Sequence, residues 1–267
     1  MSDQRVERIC FDFAAEIYDS TRGFPPGIPQ EVAKSLLAAL PAASRLLEVG
    51  VGTGRIALPL LDQGADLTGI DISPLMLARL YQHPVSGAGK LKALIADAAF
   101  LPFPSRLYSA VLFIHVLHLI PDWQAVLGEA RRCLRPGGAV ITGYDWRNEA
   151  NPVGRVRRQF MAIVEELAPE HKETGPNSHS FIGEYLIAQG ARKDTWEASH
   201  WMRSYDLAQD ILNLARGYYS SSWRLPEDLR REAVERLRAW AVVEFGSLDL
   251  EFPIQQKFIW ERYRWDA

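Results

Sequence analysis

Glycine occupies every second position near the end of LLEVGVGTGR, the stretch Leu46–Arg55. A glycine-rich turn between a strand and a helix lets the backbone approach a ligand closely, with the helix N–H groups directed at it. Gly50, Gly52 and Gly54 therefore predict a nucleotide-binding loop, and Glu48 stands at the end of the strand that enters it.

The residues that follow the third glycine argue against two phosphate-binding loops. A P-loop ends in Gly-Lys-Ser/Thr, whereas Gly54 is followed by Arg55 and Ile56. A dinucleotide fingerprint, G-x-G-x-x-G, needs its third glycine where Arg55 stands. The loop therefore matches neither pattern.

The carboxylate of Glu48 favours a ligand that carries positive charge. At ~4 Å and an effective dielectric constant of about 20, an ionised carboxylate would oppose a pyrophosphate by on the order of 4 kcal/mol. S-adenosylmethionine fits these requirements, because its ammonium and sulfonium groups are positive and it has no phosphate.

Four stretches resemble, in order, the motifs of class I S-adenosylmethionine-dependent methyltransferases, in the group that includes the ubiquinone/menaquinone-biosynthesis enzymes. They are LLEVGVGTGRIALPL, LTGIDISPLMLARL, IADAAFLPFPSRLYSAVLFIHVLHLIPDW and EARRCLRPGGAVI, and they cover Arg45–Thr142. The resemblance implies an α/β fold with a doubly wound, seven-stranded, mostly parallel Rossmann-like sheet whose last strand is antiparallel. N-terminal helices and helical cap insertions after strands five and six would complete it.

The same resemblance assigns cofactor contacts to residues at the predicted strand ends. Asp71 would accept hydrogen bonds from both ribose hydroxyls, and Asp97 and the Ala98 N–H would contact the adenine. Ile72 and Met76 would pack against the adenine or the ribose. The implied cofactor-binding set is Glu48, Gly50, Gly52, Gly54, Asp71, Ile72, Met76, Asp97, Ala98, His115 and Val116. The alternatives are a helix cap for Asp71, although Ser73 is the better cap, and a plain turn residue for Asp97.

The N-terminal stretch AEIYDSTRGFPP resembles a segment with which this family closes over the cofactor. Tyr18 would then cover the sulfonium with its ring face, and Arg22 would pair with the cofactor's carboxylate or with the substrate. The alternative is a packed tyrosine and an ordinary surface salt bridge.

Two histidines, His115 and His118, lie in IHVLHLIPDW after the fourth predicted strand. A hydroxyl acceptor would benefit from a general base, whereas an amine or an acidic enol needs none. Both histidines are candidates for that base, and we expect it to be His118; the alternative for one of them is a hydrogen bond at the start of the next helix. The resemblance implies that His115 borders the methionine part of the cofactor. No carboxylate or cysteine accompanies the two histidines at metal-ligand spacing, so we expect no metal site.

Aromatic residues outside the four motifs are candidates for the substrate pocket. Tyr144 and Trp146 end the fifth predicted strand, and Tyr218 and Trp223 belong to a cluster of aromatics between positions 196 and 223. The alternative for each of them is packing within a cap.

Helices and strands must bring these residues together. Between Arg45 and Tyr144, five short apolar strands alternate with helical segments, which predicts a parallel sheet covered by helices on both faces. Helices are predicted at Val6–Tyr18 and Gln30–Leu40, and DWQAVLGEARRCLRPGG predicts a helix that stops at its Pro-Gly-Gly. Further helices and two strands follow Tyr144, and the helix at Pro226–Phe245 carries an apolar stripe. We expect a helical lid at 1–44, a cofactor-binding core at 45–146, and a cap with the final strands at 147–267.

The 267-residue chain has a formal charge of −3 and two cysteines, Cys10 and Cys133. This balance gives no electrostatic footprint for nucleic acid, and no apolar stretch is long enough to span a bilayer. We expect a cytoplasmic monomer or homodimer without a nucleic-acid or membrane partner. The predicted function is in-line methyl transfer to a small organic molecule; the alternative is a non-catalytic sensor or assembly protein that binds S-adenosylmethionine.

Overall fold

The computed structural model describes residues 12, 23–84, 89–146, 148–169, 176, 179–223 and 225–266; the side chains of 179, 220 and 223 are not described. Within these ranges one sheet contains seven strands. They are β1 Arg45–Val49, β2 Asp66–Asp71, β3 Lys90–Ile95, β4 Tyr108–Ile114, β5 Leu134–Trp146, β6 Arg192–Asp206 and β7 Glu251–Arg264.

Four described helices precede or follow strands β1 to β5 along the chain, and five more come after β5. They are α1 Ile28–Ala38, α2 Ala57–Asp62, α3 Pro74–Leu80, α4 Trp123–Cys133, α5 Pro152–Leu167, α6 His179–Ala188, α7 Leu207–Ala215, α8 Ser220–Trp223 and α9 Glu227–Phe245. The helix predicted at Val6–Tyr18 falls outside the described residues.

The strand order across the sheet is β3-β2-β1-β4-β5-β7-β6. Strands β1 to β5 run parallel to one another, and β7 runs antiparallel to its two neighbours, β5 and β6. The predicted fold class is therefore confirmed. The order reverses between β1 and β4, and an open α/β sheet forms its ligand crevice at the carboxyl ends of strands where such a reversal occurs.

The central strands are apolar because helices cover both faces of the sheet. All seven residues of β4 are buried, as are four of the five residues of β1. Leu47 of β1 pairs with Thr68 on one side and Val111 on the other. This buried centre holds the carboxyl ends of the strands in fixed positions.

The start of α3 is set by its cap, as predicted. Pro74 is its first residue, and the Ser73 hydroxyl accepts a hydrogen bond from the Met76 N–H at 3.1 Å. A proline at this position costs no helical hydrogen bond. The cap fixes α3 directly behind the end of β2.

The predicted boundary between α4 and β5 was wrong. We expected the helix to continue to the Pro-Gly-Gly at 136–138, but α4 ends at Cys133 and β5 begins at Leu134. Leu134 pairs with Tyr108, and a bulge separates this pair from that of Ala110 with Ala139. The proline and glycines therefore lie in a bulged strand, a place where a missing N–H is tolerated.

Gly143 on β5 makes room for a large aromatic residue of β7. A Cβ at this position would lie 2.5 Å from Cζ3 of Trp260 and 2.8 Å from Cζ of Phe258. Trp260 is fully buried, and its Nε1–H donates to the Val32 carbonyl at 3.3 Å. The pair ties β5, β7 and α1 into one core.

The chain divides into two compact units. Unit 1 comprises the described parts of 1–145, 173–199 and 258–267, and unit 2 those of 146–172 and 200–257. In unit 2, α9 buries Ala233, Leu237 and Ala241, which confirms the apolar stripe expected from the sequence.

The basic stretch of α5 in unit 2 is engaged with neighbouring side chains. Arg155 pairs with Glu244, and the guanidinium of Arg157 lies 5.5 Å from the ring of Tyr219. Arg158 pairs with Glu149 at 3.5 Å. Each of these three arginines therefore has a partner among the described residues of unit 2.

Candidate functional site

A cleft opens at the carboxyl ends of β1, β2, β3 and β4, where the strand order reverses. The space between its walls is about 760 Å³, a volume that includes the open mouth. The described lining residues are Val49, Gly50, Gly52, Ile70, Asp71, Ile72, Met76, Ala96, Asp97, Ala98, Ile114, His115, Val116, Leu119 and Ile120. Nine of the eleven residues in the predicted cofactor-binding set from the strand ends are therefore brought together.

The glycine loop forms one wall of the cleft. Gly50 has φ 72°, and its N–H donates to the Ile70 carbonyl at 2.8 Å. A Cβ here would lie 2.6 Å from Cγ2 of Val116. Glycine is thus required both for the backbone conformation and for the close approach of the β1 and β4 ends.

Gly54 has a different role from that of Gly50. It is not among the described residues that line the cleft. A Cβ on it would lie 2.5 Å from Cδ1 of Leu80 and 2.8 Å from Cγ of Leu58, so it permits α2 and α3 to pack closely. Its predicted contact with the cofactor stays a prediction.

Asp71 links the end of β2 to the glycine loop. Its Oδ2 accepts the Gly52 N–H at 2.8 Å, and its Oδ1 accepts the Ser73 N–H at 2.9 Å. Burial raises the pKa of Asp71, while these backbone hydrogen bonds oppose the rise. Each carboxylate oxygen can accept a further hydrogen bond, so a vicinal diol could bind here.

Glu48 lies beneath the loop and is 2% exposed. Burial, with a smaller contribution from the Asp71 carboxylate, raises the pKa of Glu48 to about 8. Its Oε2 has no hydrogen-bond partner among the described residues. At this pKa the Glu48 carboxyl is mostly protonated at neutral pH, whereas the sequence predicted an ionised carboxylate. The carboxylates that would repel a phosphate are then those of Asp71 and Asp97, which line the cleft.

Asp97 follows β3 and starts a turn. Its Oδ1 accepts the Ala99 N–H at 2.9 Å, and its carbonyl accepts the Phe100 N–H at 3.0 Å. Asp97 therefore both forms the turn and lines the cleft, which Ala98 also lines.

His115 follows β4 directly and contacts Asp145, which Arg55 in turn holds. Its Nε2 lies 3.1 Å from Oδ2 of Asp145, near the end of β5. Arg55, before α2, donates through Nη2 to both oxygens of that carboxylate, at 3.0 and 3.1 Å. The sequence motifs include His115 and Arg55 for other reasons and do not include Asp145; only the β1-β4-β5 adjacency brings the three into one cluster.

The other predicted catalytic and substrate residues lie elsewhere. His118 lies in a 3-10 turn, Leu117–Leu119, and is not among the described cleft residues. The Tyr144 hydroxyl is 3.3 Å from Oε1 of buried Glu261, to which Lys193 Nζ also pairs at 2.6 Å. Burial raises the pKa of Tyr144 to about 12, so its hydroxyl is not ionised at neutral pH.

The remaining predicted contacts concern unit 2 and the N-terminal stretch. Trp146 and Tyr218 belong to unit 2, where Lys257 Nζ lies 5.7 Å from the Trp146 ring centroid. Tyr18, Arg22 and the side chain of Trp223 fall outside the described residues. The roles of these five residues in binding stay predictions.

The cleft chemistry fits a nucleoside better than a dinucleotide. Its walls are mainly aliphatic, two carboxylates project from the ends of neighbouring strands, and the described lining contains no lysine or arginine to neutralise a pyrophosphate. Among the described residues no group of three or more His, Cys, Asp or Glu is placed to hold a metal ion. In that same part of the chain no helix is both long and apolar enough to cross a membrane.

Comparisons with known proteins identify the chain as similar to methyltransferases. The family described as "Methyltransferase domain" matches residues 47–142. The chain is 36% identical over 107 residues to the demethylmenaquinone methyltransferase of Thermus thermophilus, a match that covers 39% of this chain and only 49% of that relative. It is 32% identical over 238 residues to an uncharacterized methyltransferase of Mycobacterium tuberculosis, covering 88% of this chain and 86% of the relative.

Solved structures share the fold at low sequence identity. The YcgJ protein of Bacillus subtilis superposes with a TM-score of 0.57 at 16% identity, covering 89% of this chain and 98% of that protein. At this identity the likeness concerns the fold alone.

Proposed function

Since the chain belongs to the class I S-adenosylmethionine-dependent methyltransferases, we propose that it transfers a methyl group from S-adenosylmethionine to a small organic acceptor. The single observation that carries the proposal is the cleft at the reversal of strand order. The glycine loop, Asp71 and Asp97 line this cleft. Bound S-adenosylmethionine supplies a methyl group already activated by its sulfonium for in-line displacement.

The residues of the cleft bind and orient the cofactor. Asp71 accepts hydrogen bonds from the ribose diol, and such bonds to an ionised acceptor are strong. Asp97 and the Ala98 N–H hold the adenine, while Ile72 and Met76 pack against its faces. The aliphatic walls exclude water, and correct alignment of acceptor and methyl group provides most of the rate enhancement that this chemistry needs.

The acceptor is a small molecule in this proposal. The Thermus relative is named a demethylmenaquinone methyltransferase. A quinol or a phenol is therefore the first class to try, and hydroxylated aromatics come before amines in an acceptor panel.

Calorimetry with S-adenosylmethionine tests the cofactor assignment. We expect Asp71→Asn to raise the Kd by about 10- to 100-fold, because an amide offers one acceptor oxygen instead of two charged ones. Asp66→Asn, the same change at the exposed start of β2, is the matched control and should leave Kd within about twofold. No binding of S-adenosylmethionine, or equally tight binding of NAD, would refute the proposal.

Turnover is measured separately as release of S-adenosylhomocysteine over a panel of phenols, quinols and amines. Release with any acceptor supports an enzyme. Tight cofactor binding without release over the whole panel would instead support a sensor.

A further inference from the structure

We propose that His115 is the base that takes the proton of a hydroxyl acceptor, with Asp145 and Arg55 as positioning residues. The inference rests on the proposed function and narrows its substrate class to molecules whose nucleophile is an ionisable hydroxyl, such as a phenol or an enol. It also moves the base from His118, expected from the sequence, to His115.

Asp145 contacts the His115 ring directly, and Arg55 holds Asp145. Asp145 near the end of β5 contacts Nε2 at 3.1 Å, and Arg55 before α2 holds both oxygens of the Asp145 carboxylate. The three side chains are only 13% to 19% exposed. A carboxylate fixed by an arginine and bonded to one ring nitrogen sets the orientation of an imidazole and stabilises its protonated form.

Arg55 is itself fixed on the side away from Asp145. Its guanidinium carbon lies 3.8 Å from the centroid of the Phe24 ring, and that ring meets Phe258 edge to face at 5.5 Å between centroids. A guanidinium stacked on an aromatic ring loses little freedom when it binds a carboxylate. Asp145 therefore has a rigid partner.

The backbone places His115 inside the cleft at an energetic cost. Its φ is 53°, in the left-handed region that non-glycine residues seldom occupy. Such strain costs of order 1–3 kcal/mol and occurs most often at functional sites. His115 lines the same cleft as Gly50 and Asp71, whereas His118 is not among the described lining residues.

The charged groups described around His115 come from the ends of three strands and from Arg55. Asp145 contacts it from β5, and Asp71 and Asp97 line the same cleft from the ends of β2 and β3. Arg55 directs its charge at the Asp145 carboxylate.

In the proposed step Nε2–H donates to Asp145, and Nδ1 takes the proton of the acceptor's O–H group when the acceptor is bound. The electron pair of that O–H bond stays on oxygen, which forms the new bond to the methyl carbon, while sulfur keeps the pair of the broken C–S bond. The proton on Nδ1 then leaves to solvent.

A series of substituted phenols of graded acidity, with S-adenosylmethionine, tests the base. The variant is His115→Asn, because asparagine tolerates a left-handed φ; His83→Asn, at an exposed position, is the matched control. For weakly acidic phenols we expect His115→Asn to lower kcat by about 10²- to 10⁴-fold. The loss should shrink to less than about tenfold for phenols already ionised at the assay pH, and the control should show no loss.

Binding and chemistry are separated by measuring the Kd of S-adenosylmethionine, which should change less than about threefold in His115→Asn. A loss of kcat that is the same for every phenol would overturn the inference. Turnover of amines alone would also overturn it, while leaving the proposed function intact. Absence of cofactor binding would instead remove the proposed function itself.

A readout independent of turnover is the nitrogen-15 spectrum of the imidazole rings, with the His115 signal identified from its loss in His115→Asn. We expect the neutral ring to carry its proton on Nε2. In Asp145→Asn the amide NH₂ would face Nε2, because Arg55 still needs the amide oxygen, so the ring should change to the Nδ1–H form. The same variant should lose about 10²-fold or more in kcat on weakly acidic phenols. A wild-type ring protonated on Nδ1, or an Asp145→Asn ring that is unchanged, would contradict the inference.

Discussion

Glu48 illustrates at the scale of one residue how the fold changes the chemistry of a side chain. Glu48 lies among apolar residues of β1, and no described residue forms a hydrogen bond with its Oε2. The pKa of about 8 means that the folded chain retains a proton that the unfolded chain releases near pH 4.5. The strand end beneath the glycine loop is therefore neutral at neutral pH.

The stability of the ligand-free chain should consequently fall between about pH 5 and pH 8. In this window the folded state binds more protons than the unfolded state, so each unit of pH costs up to about 1.4 kcal/mol of the free energy of unfolding. Glu48→Gln should remove most of this slope, and Glu165→Gln, at an exposed position, should keep it. Urea denaturation at a series of pH values measures it. A wild-type slope equal to that of Glu48→Gln would contradict the raised pKa.

Most of the cleft's individual residues could be predicted from the sequence, because the motifs place Asp71, Asp97 and His115 directly after strands. The protonation of Glu48 could not, because it depends on how completely neighbouring elements bury the carboxyl. The contact of His115 with Asp145 could not either, because 30 positions separate the two residues and only the adjacency of β4 and β5 joins them.

Close packing behind the glycine loop is the main constraint at the scale of elements. Gly54 has φ 94° and lies between Leu58 of α2 and Leu80 of α3. Gly64, just after α2, has a similar φ of 87°, with nothing within 4 Å of a Cβ built on it. The two glycines share a backbone conformation and differ in crowding.

Gly54→Ala should therefore destabilise the fold more than Gly64→Ala. Both variants pay for a left-handed alanine, about 1–2 kcal/mol, but only Gly54→Ala also overpacks a buried contact, for a further ~1–3 kcal/mol. The free energies of unfolding from urea titration give the difference. Equal losses in the two variants would show that the helices move apart without cost.

Element order followed from the sequence more reliably than element boundaries. The alternation of apolar strands and helices predicted β1 to β5, and Ser73-Pro74 gave the first turn of α3. The start of β5 was missed because its pairing with Tyr108 is a long-range contact that overrides the Pro-Gly-Gly stop signal.

At the scale of the whole molecule, every described residue that lines the cleft belongs to unit 1. Ligand binding should therefore stabilise this unit against local opening before it affects the other. The core of unit 2 has its own apolar cluster, with Phe160, Leu207 and Leu237 among its buried members.

Hydrogen exchange with and without S-adenosylmethionine tests this distribution. We expect the amides of Gly50–Gly54 and Asp71–Ser73 to exchange at least about tenfold more slowly when the cofactor is bound, because they form or support the cleft. Amides of α7 and α9 should change less than about twofold. Equal protection of both units would contradict the prediction.

The contact of Gly143 with Trp260 has a consequence for recombining this chain with its relatives. The ring fills the space that any side chain at 143 would need, so the residues at these two positions constrain each other although 117 residues separate them. A chimera that imports β5 with a larger residue at 143 would have to import a β7 with a smaller one at 260. The crossover points of a viable library therefore keep β5 and β7 from the same parent.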